Sequence, residues 1–143
     1  MADDLTAKAA QAGLDSFMQS FGRIPDQFAL LNQYAPSAFA GYGLIRSGLM
    51  RGPENGGHLD IRTKELVFAL LDTLHGDVKG ARNHAAVAIQ HGLTLEQLAE
   101  GLVQVIMVGG ITTWNNVGVE VMRHCIALTL PAAREEQAQG QGD

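Results

Sequence analysis

Apolar residues recur at intervals of three and four along almost the whole chain, and no run keeps the strict two-residue alternation of a half-buried strand. The pattern predicts an all-α protein. A first helix is expected from about Leu5 to Phe21, stopping at Gly22. Pro25 and Pro36 suit first-turn positions, where a missing N–H costs nothing, so they are expected to open a short helix ("PDQFALLNQY") and a longer one ("PSAFAGYGLIRSGLM"). "RGPENGGH" reads as a loop. Asp60 is a candidate N-cap for "IRTKELVFALLDTLH", and Asp77 for "VKGARNHAAVAIQH", which Gly92 closes as the glycine just past its end. These two helices form a hairpin. Thr94 and Gln97 make a capping box for a last apolar stretch that extends to Thr129, interrupted at Gly109 and Gly110 and stopped by Pro131.

No internal repeat or second domain is visible. The expectation is a single-domain helical bundle of about six helices: N-terminal helices over 1–58, a core over 59–130 built on the central hairpin, and a flexible polar tail over 131–143. The 143 residues suffice for a sizeable core, and the charged fraction, 17%, is low for a soluble domain, which points to surface buried in an oligomer. The net charge of −5 is spread along the chain with no basic block, so nucleic acid is not an expected partner. The most apolar stretch, "LAEGLVQVIMVGGITTW", is broken by Glu100 and Gln104 and is too short for a membrane span. The start "MADDLTAKAA" has neither the basic nor the apolar region of a signal peptide, and one cysteine, Cys125, cannot make an intrachain disulfide. A cytoplasmic protein is expected.

Candidate chemistry gathers in the hairpin. At 100° per residue, Asp77, Gly80, His84, Ala88 and His91 share a face, and the small residues one turn either side of His84 leave room for another helix or a ligand. His84 and His91 are seven residues, about 10 Å, apart, too far to bind one zinc without a ligand between them. No metal site is expected. His91, beside Gly92, suits a helix C-terminus, and His75 belongs to the turn. On the preceding helix, Glu65 shares a face with Ile61, Phe68 and Ala69 on an element that is apolar nearly all round. A carboxylate there either keeps its proton in partial burial or pairs with a cation such as Arg62, Arg82 or Lys64.

Together, "RTKEL", His84 seven residues after Asp77, "AIQHGLTLEQL" and the following "GGITTWNN" resemble the carboxymuconolactone decarboxylase family, which includes the alkylhydroperoxidase-D-like proteins; the likeness spans residues 59 to about 120. "FGRIPDQFALLNQYAPSAFAGY" is similar to the segment many members carry ahead of that region. In the peroxidase branch the second hairpin helix opens with a redox dithiol activated by a histidine and a glutamate. Aligned on His84, Asp77 and Gly80 stand where those cysteines would be, and Glu65 falls on the glutamate. Thiol–disulfide chemistry of that kind is therefore excluded.

The remaining resemblance is to the decarboxylase branch, whose members use no cofactor and convert 4-carboxymuconolactone to an enol-lactone in aromatic-acid catabolism. It implies a lyase acting on a small cyclic carboxylated metabolite of lactone type, with His84 and Glu65 as the catalytic pair. Arg62 or Arg82 would hold the carboxylate, unless each is a solvated helix charge, and Asp77, Trp114 and Asn115 would line the pocket, unless Trp114 is a core or interface residue. One departure stands out: Thr112 occupies the place of a proline common in the family. Relatives are commonly homotrimers or homohexamers, so self-association is expected. Two other readings remain: a non-catalytic oligomer binding a small acid or assembling with partners, which a His84 sealed from solvent would favour, and a divergent peroxidase-like protein working through an exposed Cys125.

Overall fold

The computed structural model describes the backbone of residues 2–140 and the side chains of 3–130. Among the described residues there are seven α-helices and no strand: α1 (Ala2–Phe21), α2 (Asp26–Tyr34), α3 (Pro36–Leu49), α4 (Ile61–His75), α5 (Val78–Gln90), α6 (Leu95–Gly109) and α7 (Val119–Gly140). A 3-10 turn at Pro53–Asn55 precedes α4, and a π-helical turn at Trp114–Gly118 leads into α7. The all-α reading holds. The count exceeds the expected six because the last apolar stretch breaks fully at Gly110, whose φ of 86° is open to glycine and costly for other residues.

The helix ends follow local chemistry. Pro25 caps α2 and Pro36 is the first residue of α3. Asp77 caps α5 by accepting the Gly80 N–H at 3.0 Å, and Gly92, at φ 94°, closes that helix. Thr94 and Gln97 form the reciprocal capping box of α6, at 3.0 and 3.1 Å.

Pro131 does not end α7, contrary to expectation; the backbone stays helical to Gly140. A proline removes one hydrogen bond, here the one to the Ala127 carbonyl, but its fixed φ is itself helical. The residues beyond it, "AAREEQAQ", are mostly strong helix formers and carry the helix on. The rest of the expected tail, 141–143, lies outside the described residues.

Packing divides the chain into two compact units, Met1–Asp60 and Ile61–Asp143. In the first, α1 and α3 pack through Phe17, Phe39 and Ala40, and the Phe17 ring meets Phe28 at 4.5 Å between centroids. In the second, Ala69 of α4 and Ala81, Ala85 and Ala88 of α5 are wholly buried, and such small side chains let the two helices approach closely. Leu98 and Leu102 of α6, Val117, and Val121 and Cys125 of α7 complete this core. Burying each of the larger side chains contributes roughly 1.5–3 kcal/mol. The hairpin of α4 and α5 is therefore closely packed, and the candidate chemistry sits between its two arms. Among the described residues no helix is long and apolar enough to cross a membrane.

Candidate functional site

Glu65, Phe68 and Asp72 lie at intervals of three and four on α4, so they form one stripe along the helix. Glu65 is completely buried, and its Oε2 lies 2.6 Å from His84 Nδ1. With the carboxylate ionised, Nδ1–H is the donor and the contact is a short charge-assisted hydrogen bond, which offsets part of the cost of burying the acid. The second carboxylate oxygen, Oε1, is buried with no hydrogen-bond partner among the described residues. Phe68 packs its ring against the imidazole at 4.8 Å between centroids. The imidazole is thus held in orientation from below and from the side.

His84 is not sealed. Its side chain keeps 20% of its surface exposed, and Nε2, the nitrogen turned away from Glu65, lies 3.8 Å from Oδ2 of Asp72. Burial raises the Asp72 carboxyl above its ordinary value of 3.8; the charges of His84 and His75 oppose that shift and the charge of Asp77 adds to it. The arrangement is a carboxylate, an imidazole and a second carboxylate in series, running from the core toward solvent. Such a series can bind a proton at a fixed place and give it up from the outward-facing nitrogen.

The other expected site residues disperse. Asp77 is exposed and occupied as the cap of α5, though its carboxylate borders Asp72. Arg82 pairs with Glu120 of α7 at 2.9 Å, so it points to a different helix from His84. Arg62 lines a separate cavity of about 280 Å³ between α4 and α6, with Leu66 and Leu70 as apolar wall and Gln97, Glu100 and Gln104 as polar rim. Trp114 packs on the core of the second unit above Gly118, while Asn115, the next residue of the π-helical turn, is exposed. His91 is the exposed C-cap of α5, and His75 is the exposed last residue of α4.

Asp72 was not among the expected residues. Its signal was present, since it stands seven residues after Glu65, two helical turns along the same stripe. The room expected beside Gly80 is also explained, for a Cβ there would overlap Asp72 Oδ2 and lie 2.6 Å from Asp77 Oδ2. The space left by the missing side chain is filled by a carboxylate from the neighbouring helix.

The redox reading through Cys125 does not survive. It required an exposed thiol, and Cys125 is wholly buried with its pKa pushed up by burial to about 11. A thiol so placed forms almost no thiolate near neutral pH and has no access to a peroxide.

The sequence model of the carboxymuconolactone decarboxylase family matches residues 36–124, more than half of the chain. The chain belongs to that family. Among solved structures it is similar to a "putative carboxymuconolactone decarboxylase" from Burkholderia xenovorans LB400, with 23% identity and a TM-score of 0.81 over 91% of this chain and 98% of the other. At that identity the likeness speaks for the fold. No significant match is found among curated proteins.

Proposed function

We propose that this member of the family is a cofactor-independent decarboxylase-like lyase acting on a small cyclic carboxylated metabolite of the lactone type. The observation that carries the reading is the 2.6 Å contact between buried Glu65 and the partly exposed His84. When a carboxylate next to a conjugated lactone leaves as CO₂, its bonding pair passes into the ring system as an enolate. One proton must then reach carbon. Nε2–H of His84 supplies that proton, and the Glu65 carboxylate stabilises the imidazolium that carries it, a division of labour worth roughly 10²- to 10⁴-fold in rate.

Holding the substrate carboxylate calls for a cation near Nε2. Arg82 is committed to Glu120 and Arg62 faces the cavity between α4 and α6. A second copy of the chain is the natural source, and the reading therefore includes assembly, as a homotrimer or homohexamer. Exposed apolar side chains in the second unit support it: Met107 and Val108 are each 80% exposed, with Val103 and Ile111 beside them in the chain. Apolar surface of this kind marks interaction sites.

The test is incubation of the purified protein with 4-carboxymuconolactone and a panel of related lactone acids, following CO₂ release and loss of substrate absorbance. Turnover of at least one acid, abolished in His84→Ala, is the expected result. Unchanged substrate throughout the panel removes the reading, and saturable binding without turnover replaces it with that of a small-acid-binding oligomer.

A further inference from the structure

The geometry points to Asp72 as the proton-relay residue of this site: a solvent-side acid that passes protons between water and Nε2 of His84. The inference rests on the reading of His84 as a proton donor. Three observations carry it. First, side-chain exposure rises stepwise from Glu65 at 0% to His84 at 20% and Asp72 at 30%, so the series has a buried end and a wet end. Second, the imidazole stands between two carboxylates: Nδ1 meets Glu65 Oε2 at 2.6 Å, and Nε2, on the other edge of the ring, lies 3.8 Å from Asp72 Oδ2, within reach through a small side-chain rotation or one bridging water. Third, the place of Asp72 depends on a gap in the facing helix. Any side chain at position 80 would force its carboxylate to move, since even a Cβ would overlap Oδ2.

The proton count closes. When Nε2–H gives its proton to the substrate carbon, the neutral imidazole accepts a proton from the Asp72 carboxylic acid, and the resulting carboxylate takes one from water. Each cycle consumes one solvent proton, which balances the one left on the product. An acid that exchanges with water must hold a proton for part of the time. Three titratable groups act on Asp72: His84 from α5, Asp77 from the turn before α5, and His75 from the last turn of α4 itself. Burial outweighs them and raises the Asp72 carboxyl above 3.8, toward the range in which it can hold and release a proton. Asp77, tied to the Gly80 N–H, is the cap and not the carrier.

The experiment needs no substrate at its core. In protein with isotope-labelled histidine, NMR measures the rate at which the His84 imidazole proton exchanges with water. Asp72→Asn, close to isosteric, is expected to slow that exchange by at least about fivefold, and Gly80→Ala, which displaces the Asp72 carboxylate and crowds that of the cap Asp77 while leaving both residues in place, should do the same. The double variant Asp72→Ala/Gly80→Asp returns an acid to nearly the same point from the other helix and should restore most of the rate. A merely structural Asp72 would show no such rescue. Exchange in Asp72→Asn and Gly80→Ala slowed by less than about fivefold overturns the proposal, as does a double variant no faster than Asp72→Asn. For any lactone acid that the wild type consumes, Asp72→Asn should lower kcat with KM nearly unchanged. If none is consumed, the lyase reading falls, and the exchange measurement still decides the relay.

Discussion

Arg46 and Glu65 are both charged side chains buried on helices, one in each unit, and they are treated differently by their surroundings. The guanidinium of Arg46, with the residue only 7% exposed, lies 4.3 Å from the centroid of the Phe17 ring and 5.4 Å from that of Phe21, and its Nη1 donates to the Ser16 hydroxyl. Neither the rings nor the hydroxyl gains or loses a proton near neutral pH, and arginine never does. Cation–π attraction to the two rings and the hydrogen bond to Ser16 help to hold this charge in place, and neither contact transfers a proton. Glu65 instead touches an imidazole, the side chain whose ordinary titration lies nearest neutrality, and that imidazole reaches solvent. Burial of a charge becomes chemistry only when its contact partner can move a proton outward.

The largest expected effect tests the second half of that contrast. Glu65→Gln keeps the shape and offers an amide oxygen to Nδ1–H, so the fold should persist with a melting temperature close to wild type. It removes the negative charge beside the imidazole, and under the proposed lyase function kcat on a lactone acid should drop at least about 100-fold. Retained turnover would place Glu65 beside Arg46, as a packed charge only.

Next in size is the first half. Arg46→Ala removes both the cation and the aliphatic stem that covers the Phe17 and Phe21 rings, and should cost on the order of 2 kcal/mol in a urea unfolding experiment. Arg46→Met keeps the stem and removes the buried charge, so its cost should be roughly 1 kcal/mol or less. Equal costs for the two variants would mean that the charge itself, and not the packing, is what Arg46 contributes.

How much of this was legible in the sequence follows from how local each signal is. The caps at Asp77 and at Thr94 with Gln97 are decided within four residues, and the sequence shows them directly. The Glu65–His84 pair was legible as two faces of a hairpin and, more sharply, through the resemblance. Arg82 was misplaced in the candidate pocket because residue type was weighed above direction: it stands two residues from His84, about 200° round the helix, and meets α7. Arg62 leans toward α6 although it is one turn from Glu65, and only the packing of three helices decides on which side of α4 it falls. The π-helical turn at Trp114–Gly118 and the passage of α7 through Pro131 depend likewise on tertiary contacts and on helix continuation, which no local motif signals. Asp72 was legible by spacing alone, but its meaning required Gly80 to be seen beneath it.

A smaller effect concerns the other residue for which chemistry was considered. Cys125 should not react with a thiol reagent at pH 8 in the native protein and should react at once after unfolding, because burial pushes its pKa to about 11. Cys125→Ser places a hydroxyl among Val121, Val117 and Leu102 and should cost about 1–2 kcal/mol of stability. Fast modification of the folded protein would return the thiol to the side of Glu65 in the comparison.

The smallest effect is the one with the most informative sign. A carboxyl whose folded pKa is raised favours its protonated form in the native state, so its ionisation costs stability. For Asp72 that cost is absent below the ordinary value of 3.8, grows as pH rises through the raised folded value, and is complete above it. Asp72→Asn should therefore be slightly more stable than wild type near neutral pH, by less than about 1 kcal/mol because the side chain is partly exposed and screened, and the advantage should vanish in acid. Thermal melts of both proteins across pH 3 to 8, a span of roughly one unit below the ordinary carboxyl range to well above it, would show the difference closing as pH falls. A gain in stability that accompanies a loss of proton exchange at His84 is what a residue kept for its chemistry should give. A loss of stability at neutral pH would mean instead that attraction to His84 outweighs burial, and Asp72 would join Arg46 as a charge held for the fold.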